Sequence, residues 1–187
     1  PPISVGVGVE CYTEDWALIE LDHKIDWDNF KGNAVDLFHY SNTSFKYPPN
    51  HLLQLQGILG KEELCHMQMV NANNDPCLIV IKSSCTTGVT IGSATSMMSY
   101  VHEYFEKDPP QTSIKWAILS YDKKSSMFSA CSDSSAIIFD GKGRIGSILT
   151  SGSGQTDTTD IMYATPFYWL LQHIKDHFPH AHLYQAS

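Results

Sequence analysis

Short runs of apolar and β-branched residues, each stopped by turn-forming residues, recur along almost the whole chain. This pattern constrains the fold more than any other feature of the sequence. The runs are Ile3 to Glu10, Trp16 to Leu21, Ala34 to Phe38, Leu52 to Leu59 and Leu64 to Val70. After Asn71-Ala72-Asn73-Asn74-Asp75-Pro76 come Cys77 to Lys82, Thr86 to Ser93, Ile114 to Tyr121, Ala136 to Phe139 and Arg144 to Leu149. So many short strands predict an all-β sandwich or barrel. One helix is expected near the end: Thr165 caps it, Pro166 takes its first position, and Phe167, Leu170, Leu171, Ile174 and Phe178 recur at helical spacing. Met97 to Phe105 fits strand or helix, and Asp108-Pro109-Pro110 ends it. Thr150 to Thr159 has the Gly/Ser/Thr composition of a loop.

The 187 residues, 42% hydrophobic, are enough to bury a core in one domain or two closely packed halves, with a boundary expected near Ala72 to Pro76. Twelve Lys and Arg against 20 Asp and Glu leave a formal net charge of -8, the wrong sign for a phosphate backbone or an anionic membrane surface, so no nucleic acid and no membrane is expected as partner. No apolar run approaches the roughly 20 residues of a membrane span. Cys11, Cys65, Cys77, Cys85 and Cys131 are odd in number and form no CxxC pair, which argues against a disulfide framework or a thiolate zinc site. A soluble intracellular protein is the expectation, although the sequon Asn42-Thr43-Ser44 would suit a secreted loop.

Three segments taken together resemble the trypsin-like serine peptidases, and more closely a set of trypsin-like proteins predicted in mushroom-forming fungi. Glu14-Asp15-Trp16-Ala17-Leu18-Ile19 is similar to the family's Asp-x-Ala-Leu. Phe128-Ser129-Ala130-Cys131-Ser132-Asp133-Ser134-Ser135-Ala136, running into Ile137 to Asp140, is similar to its Gly-Asp-Ser-Gly loop and the strand after it. Arg144 to Gly154, followed by Tyr163-Ala164-Thr165-Pro166 and the helix, resembles its strand, pocket wall and closing helix. Lys82 to Gly92 also looks like a strand and turn of the fungal set, with Cys85 departing from the polar residues expected there.

The resemblance implies a chymotrypsin-like double β-barrel with a C-terminal α-helix. Residues 1–71 would be the remainder of an incomplete first barrel, and residues 77–187 the second barrel with its helix. It implies Ser134 as nucleophile, Asp15 as the carboxylate that orients and charges an imidazole, and the backbone N–H groups of Ser132 and Ser134 as the oxyanion hole. It also places Phe128 at the base of an apolar specificity pocket, and Thr150, Ser151 and Gly152 along the edge where a substrate strand adds by backbone hydrogen bonds. Serines at positions 132 and 135 stand where the family has glycine, and each adds a Cβ to a tight loop. The family's histidine precedes the Asp, but His23, His39, His51, His66, His102, His173, His177, His180 and His182 all follow Asp15. The chain by itself is therefore expected to be an impaired or silent peptidase. A preceding piece of the same precursor would supply the base, or else the fold serves as a protein-binding or storage module. A peptide or protein is the expected ligand. An associated upstream piece or a second copy is the expected partner, because an opened barrel leaves strand edges that seek pairing.

Other polar clusters have plainer readings. His173 and His177 lie four apart, with His180 and His182 beyond, but on the polar side of the helix and with no HExxH pattern, so no metal is expected. Asp26 with Asp28, and Asp157 with Asp160, read as turn and loop solvation. Gly6 and Gly8 lack the third glycine and following helix of a dinucleotide fingerprint, so no cofactor is expected.

Overall fold

The computed structural model describes residues 3–21, 24, 30, 32–37, 49–71, 74–104, 109–121, 127–152 and 161–183. In chain order the elements are β1 (Ser4–Val7), β2 (Tyr12–Glu14), β3 (Ala34–Asp36), β4 (Leu52–Gln54), α1 (Lys61–Cys65), β5 (Met69–Val70), β6 (Pro76–Ser84) and β7 (Gly88–Glu103). They continue as β8 (Gln111–Ser120), a 3₁₀ turn (Cys131–Asp133), β9 (Ile137–Asp140), β10 (Ile145–Gly152), β11 (Ile161–Pro166) and α2 (Phe167–His177).

Six of these strands form a closed antiparallel ring. The order is β6-β7-β8-β11-β10-β9, and β9 returns to β6 through Val80↔Asp140, Ile81↔Phe139 and Lys82↔Ile138. Closure pairs both edges of every strand in the ring over part of its length. Alternation decides what fills it: Leu78 and Val80 of β6 face the interior while Ile79 and Ile81 face a second cluster outside. The interior takes side chains from all six strands, among them Val80, Ala94, Trp116, Ile138, Leu149 and Met162. A Cβ on Gly92 would stand 2.8 Å from Phe128 and 2.9 Å from Ile118, so glycine there lets the strand pass over a packed ring.

The N-terminal part contributes two separate two-stranded pieces, β1-β2 and β3-β4, consistent with an incomplete first barrel. Val35, Leu37 and Leu53 of the second piece pack on Ile81, Ile91 and Phe139 of the ring. Tyr12 of the first packs with Ile145 and with Phe167, Trp169 and Leu170 of α2. The helix thus binds the first hairpin to the barrel.

Local differences from the sequence expectations have local causes. Residues 16–21 pair with no strand; Leu18, Ile19 and Leu21 are exposed. The expected strand Leu64 to Val70 is instead α1 followed by β5, because the Gly60 N–H donates to Glu63 Oε2 at 3.2 Å and starts a helical turn. Met97 to Glu103 is strand, continuing β7 past a register shift. Thr165 lies in β11 with its hydroxyl donating to the Thr13 carbonyl at 3.1 Å, and Pro166 is the residue capping α2. The sequon, His23, His39, Asp26, Asp28, Asp157 and Asp160 lie outside the described residues. Among the described residues no helix is long and apolar enough to cross a membrane.

Candidate active site

The turn carrying Ser134 is held against β10 by backbone bonds. Ser135 N–H donates to Leu149 O at 2.8 Å, Leu149 N–H to Ala136 O at 3.0 Å, and Ala136 N–H to Asp133 O at 3.1 Å. Ser134 follows the 3₁₀ turn with φ -56 and ψ 148, and Ser132, Ser134 and Ser135 are exposed. Ser135 has φ 70, the left-handed region that favours glycine, so one of the two serines at family glycine positions occupies a conformation that glycine adopts more easily.

Asp133 fixes this turn from within. Its carboxylate is buried, and Oδ2 accepts from Thr87 Oγ1 at 2.6 Å, Ala130 N–H at 3.0 Å, Lys82 Nζ at 3.2 Å and Ser129 Oγ at 3.4 Å. Its Oδ1 accepts from Thr86 N–H at 3.2 Å. Burial alone would raise the Asp133 carboxyl, but the donors Thr87, Ala130, Ser84 and Lys82 outweigh it and hold the group far below the usual carboxylate range. Lys82 is wholly buried as well. It donates to Ser84 at 2.8 Å and to Thr87 at 2.5 Å, and its ammonium lies 5.6 Å from the centre of the Phe128 ring. Burial lowers the Lys82 pKa against the opposing pull of Asp133.

The other predicted residues fall around the same strand. Thr150, next to Leu149, donates its hydroxyl to Tyr163 O at 3.0 Å and accepts from Lys115 Nζ at 3.3 Å. Ser151 Oγ is buried with no hydrogen-bond partner among the described residues, and Gly152 is exposed at the strand's end. Asp15 is exposed just beyond β2. Phe128 is fully buried in the barrel interior, its carbonyl accepting from Thr90 Oγ1 at 2.6 Å.

Neither Asp15 nor Ser134 has a side-chain hydrogen bond or ion pair among the described residues, so no described histidine bridges them. His173 lies 3.7 Å from Glu14 Oε1 and stacks on Trp169 at 4.0 Å between ring centres. No group of three or more His, Cys, Asp or Glu that could hold a metal occurs among the described residues. Cys11, Cys65, Cys77 and Cys85 are free thiols. A cleft of about 420 Å³ lies elsewhere, between α1, β5 and the β9–β10 turn, and none of the predicted site residues lines it.

Three polar residues of the site were not singled out from the sequence: Lys82, Asp133 and Lys115. A signal existed for the lysines, since each directly follows an isoleucine in the apolar part of its strand, where a buried charge must find a partner. Their partners lie far along the chain and carry no local mark.

No protein-family model and no curated protein matches the chain. Solved structures similar to part of it include two proteases. One is a serine protease specific for glutamic acid that uses a histidine triad in substrate binding, at 20% identity and a TM-score of 0.45 over 76% of this chain. The other is the chymotrypsin of Cellulomonas bogoriensis, at 18% identity and a TM-score of 0.42 over 66% of this chain. The chain spans 58% of the length of the first and 54% of the second.

Proposed function

We propose that this chain carries the nucleophile half of a chymotrypsin-like serine peptidase site and is catalytically silent by itself. In this reading Ser134 attacks a peptide carbonyl, the N–H groups of Ser132 and Ser134 receive the oxyanion, and a substrate strand adds along Thr150 to Gly152. Phe128 sets an apolar floor beneath the substrate side chain. Asp15 orients the imidazole of the base, and residues 1–14 hold no histidine. The observation that carries the reading is the turn itself: an exposed serine between a buried, five-donor carboxylate and a strand edge. A serine presented this way on a rigid base meets the positional demand of acyl transfer, where the nucleophile and oxyanion donors must be held before the substrate arrives.

A second reading from a different class has its own observation. Ser135 at positive φ and a Ser134 hydroxyl without a base among the described residues fit a retained fold that binds a peptide or protein strand and does not cleave it. Native mass spectrometry combined with fluorophosphonate labelling separates the two. Labelling at Ser134 in the presence of a co-purifying histidine-bearing segment supports the peptidase. A lone 20.9 kDa chain that binds extended peptides and resists the label supports the module.

A further inference from the structure

The cleft of about 420 Å³ between α1, β5 and the β9–β10 turn has no part in the proposed chemistry: neither Ser132, Ser134, Thr150, Ser151 nor Gly152 lines it. Its size lies within the roughly 300–1,000 Å³ of clefts that enclose small organic ligands. The floor takes Leu59, Met67 and Leu78 from the cluster inside the barrel and Ile79 and Ile91 from the cluster outside it, so the packed apolar core itself meets the cleft. Met69 of β5 adds a half-exposed wall whose flexible thioether can adjust to an apolar body. His66 ends α1 with its Nδ1 turned to Glu62 O at 3.2 Å. The charged lining residues, Glu63, Asp140, Lys142 and Arg144, come from α1 and the β9–β10 turn alone.

Hydrogen bonds gather these four into one cluster and decide what it can recognise. Asp140 Oδ1 accepts the backbone N–H groups of Lys142 and Arg144, and Oδ2 accepts Arg144 Nε and Nη2, which fills its four lone-pair positions. Glu63 takes Arg144 Nη1 on one oxygen and the Gly60 N–H on the other. Arg144 is thereby clamped between two carboxylates with three of its five N–H donors engaged, and two remain uncommitted among the described residues. The Lys142 ammonium makes no hydrogen bond or ion pair among the described residues, which leaves its three donors uncommitted as well. Donors on two cations thus outnumber the acceptors left in the cluster, which are those of Glu63. Two cations and two carboxylates also balance, so one added negative charge is accommodated, whereas a doubly charged head group would face two fixed carboxylates.

We propose that this cleft binds an amphipathic carboxylic acid, with its apolar body on Leu59, Leu78, Ile79 and Ile91 and its carboxylate on Lys142 and the uncommitted N–H groups of Arg144. A free medium-chain or aromatic acid carries this chemistry, and so does the C-terminal carboxylate of a peptide that ends in an apolar residue. The test is a titration of octanoate into the isotope-labelled full chain, followed by heteronuclear NMR. The amides of residues 67–70 and 141–144 should shift saturably. Octanamide has the same body without the charge and should bind at least about tenfold more weakly, because the charge-assisted hydrogen bonds are lost. Lys142→Gln, at an exposed turn position, should weaken octanoate by about threefold to tenfold and leave octanamide unchanged. Met69→Glu places a like charge in the wall and should raise the octanoate Kd at least about tenfold. If Met69→Glu does not fold, Lys142→Gln carries the test. The peptide acetyl-Ala-Ala-Leu, compared with its C-terminal amide, separates the two sources. Binding of the peptide acid more tightly than octanoate supports a chain end as the ligand, and the reverse order supports a free acid. The proposal is overturned if octanoate gives no saturable shift, if octanamide binds as tightly, if Lys142→Gln changes nothing, or if the shifts fall on exposed Leu18 and Ile19 instead of the cleft.

Discussion

A carboxylate leaves water only when its charge is met, and Asp133 shows what that requires: four donors on one oxygen, one on the other, and a buried ammonium among them. Removing Lys82 while Asp133 stays ionised leaves a charge without its counter-ion. Lys82→Met should therefore cost about 3–5 kcal/mol in urea unfolding, and Lys82→Met with Asp133→Asn should recover part of the loss. The acid response follows from the same bonds. An unfolded Asp titrates near pH 3.9, about the ordinary carboxylate value, while the folded group stays ionised well below it. The stability this contributes is complete above that pH and drains away as pH falls toward the depressed folded value. The urea midpoint of the wild type should thus drop more steeply below about pH 4 than that of Asp133→Asn, and parallel curves would show that Asp133 is not the responsible group. Two residues on, Ser135 holds φ 70, so Ser135→Gly should raise stability by about 0.5–1 kcal/mol, read as a higher Tm.

At the scale of elements, the β9–β10 turn joins the barrel to the N-terminal pieces. Asp140 Oδ1 accepts from Lys142 and Arg144 N–H at 2.9 Å each, and Oδ2 takes the Arg144 guanidinium at 2.9 and 2.7 Å, which also pairs with Glu63 of α1. Gly143 in this turn has φ 77, and a Cβ there would stand 2.0 Å from Gln54 O of β4. Gly143→Ala should cost about 2–4 kcal/mol by denaturant unfolding, because the backbone must shift and the Gln56 N–H to Gly143 O bond with it. Elements of this kind were legible where local pattern suffices. Strands β6, β8, β9 and β10 and helix α2 sit within a few residues of their apolar runs. Strand β11 was not foreseen, because Tyr163-Ala164-Thr165-Pro166 follows a loop-like tract and reads as the approach to a helix. Residues 16–21 look like a strand by composition, yet no described neighbour offers an edge. The site divides the same way. Ser134 and Asp15 stand out by motif, whereas Lys82 and Asp133 meet across 51 positions and Lys115 and Thr150 across 35, which no local spacing records.

Large apolar side chains meet water in the strands and loops before the barrel as well as at Met97, Tyr100 and Tyr104 of its long strand and the loop after it. The ring of six strands is closed and its interior filled, but Ile3, Val9, Leu18, Ile19, Leu21, Leu52, Met69 and Val70, all before the barrel begins, are large apolar side chains left exposed. Ile19 is 81% exposed and Val9 97%, values that a packed first barrel would not leave. Among the described residues the sheets β1-β2 and β3-β4 are two strands wide. Exposed apolar surface favours association, whether with a further segment of the same precursor or with a second copy. Leu18→Ser with Ile19→Lys removes two of these side chains from unpaired backbone without touching the barrel, so stability should change by no more than about 0.5 kcal/mol. Sedimentation velocity at micromolar concentration should show self-association in the wild type and a clear shift to monomer in the double variant, with reduced binding of a hydrophobic dye. A wild type that sediments as a single monomer and binds no dye would overturn the association. The search for a strand-donating partner would then move to the β10 edge at Thr150 to Gly152.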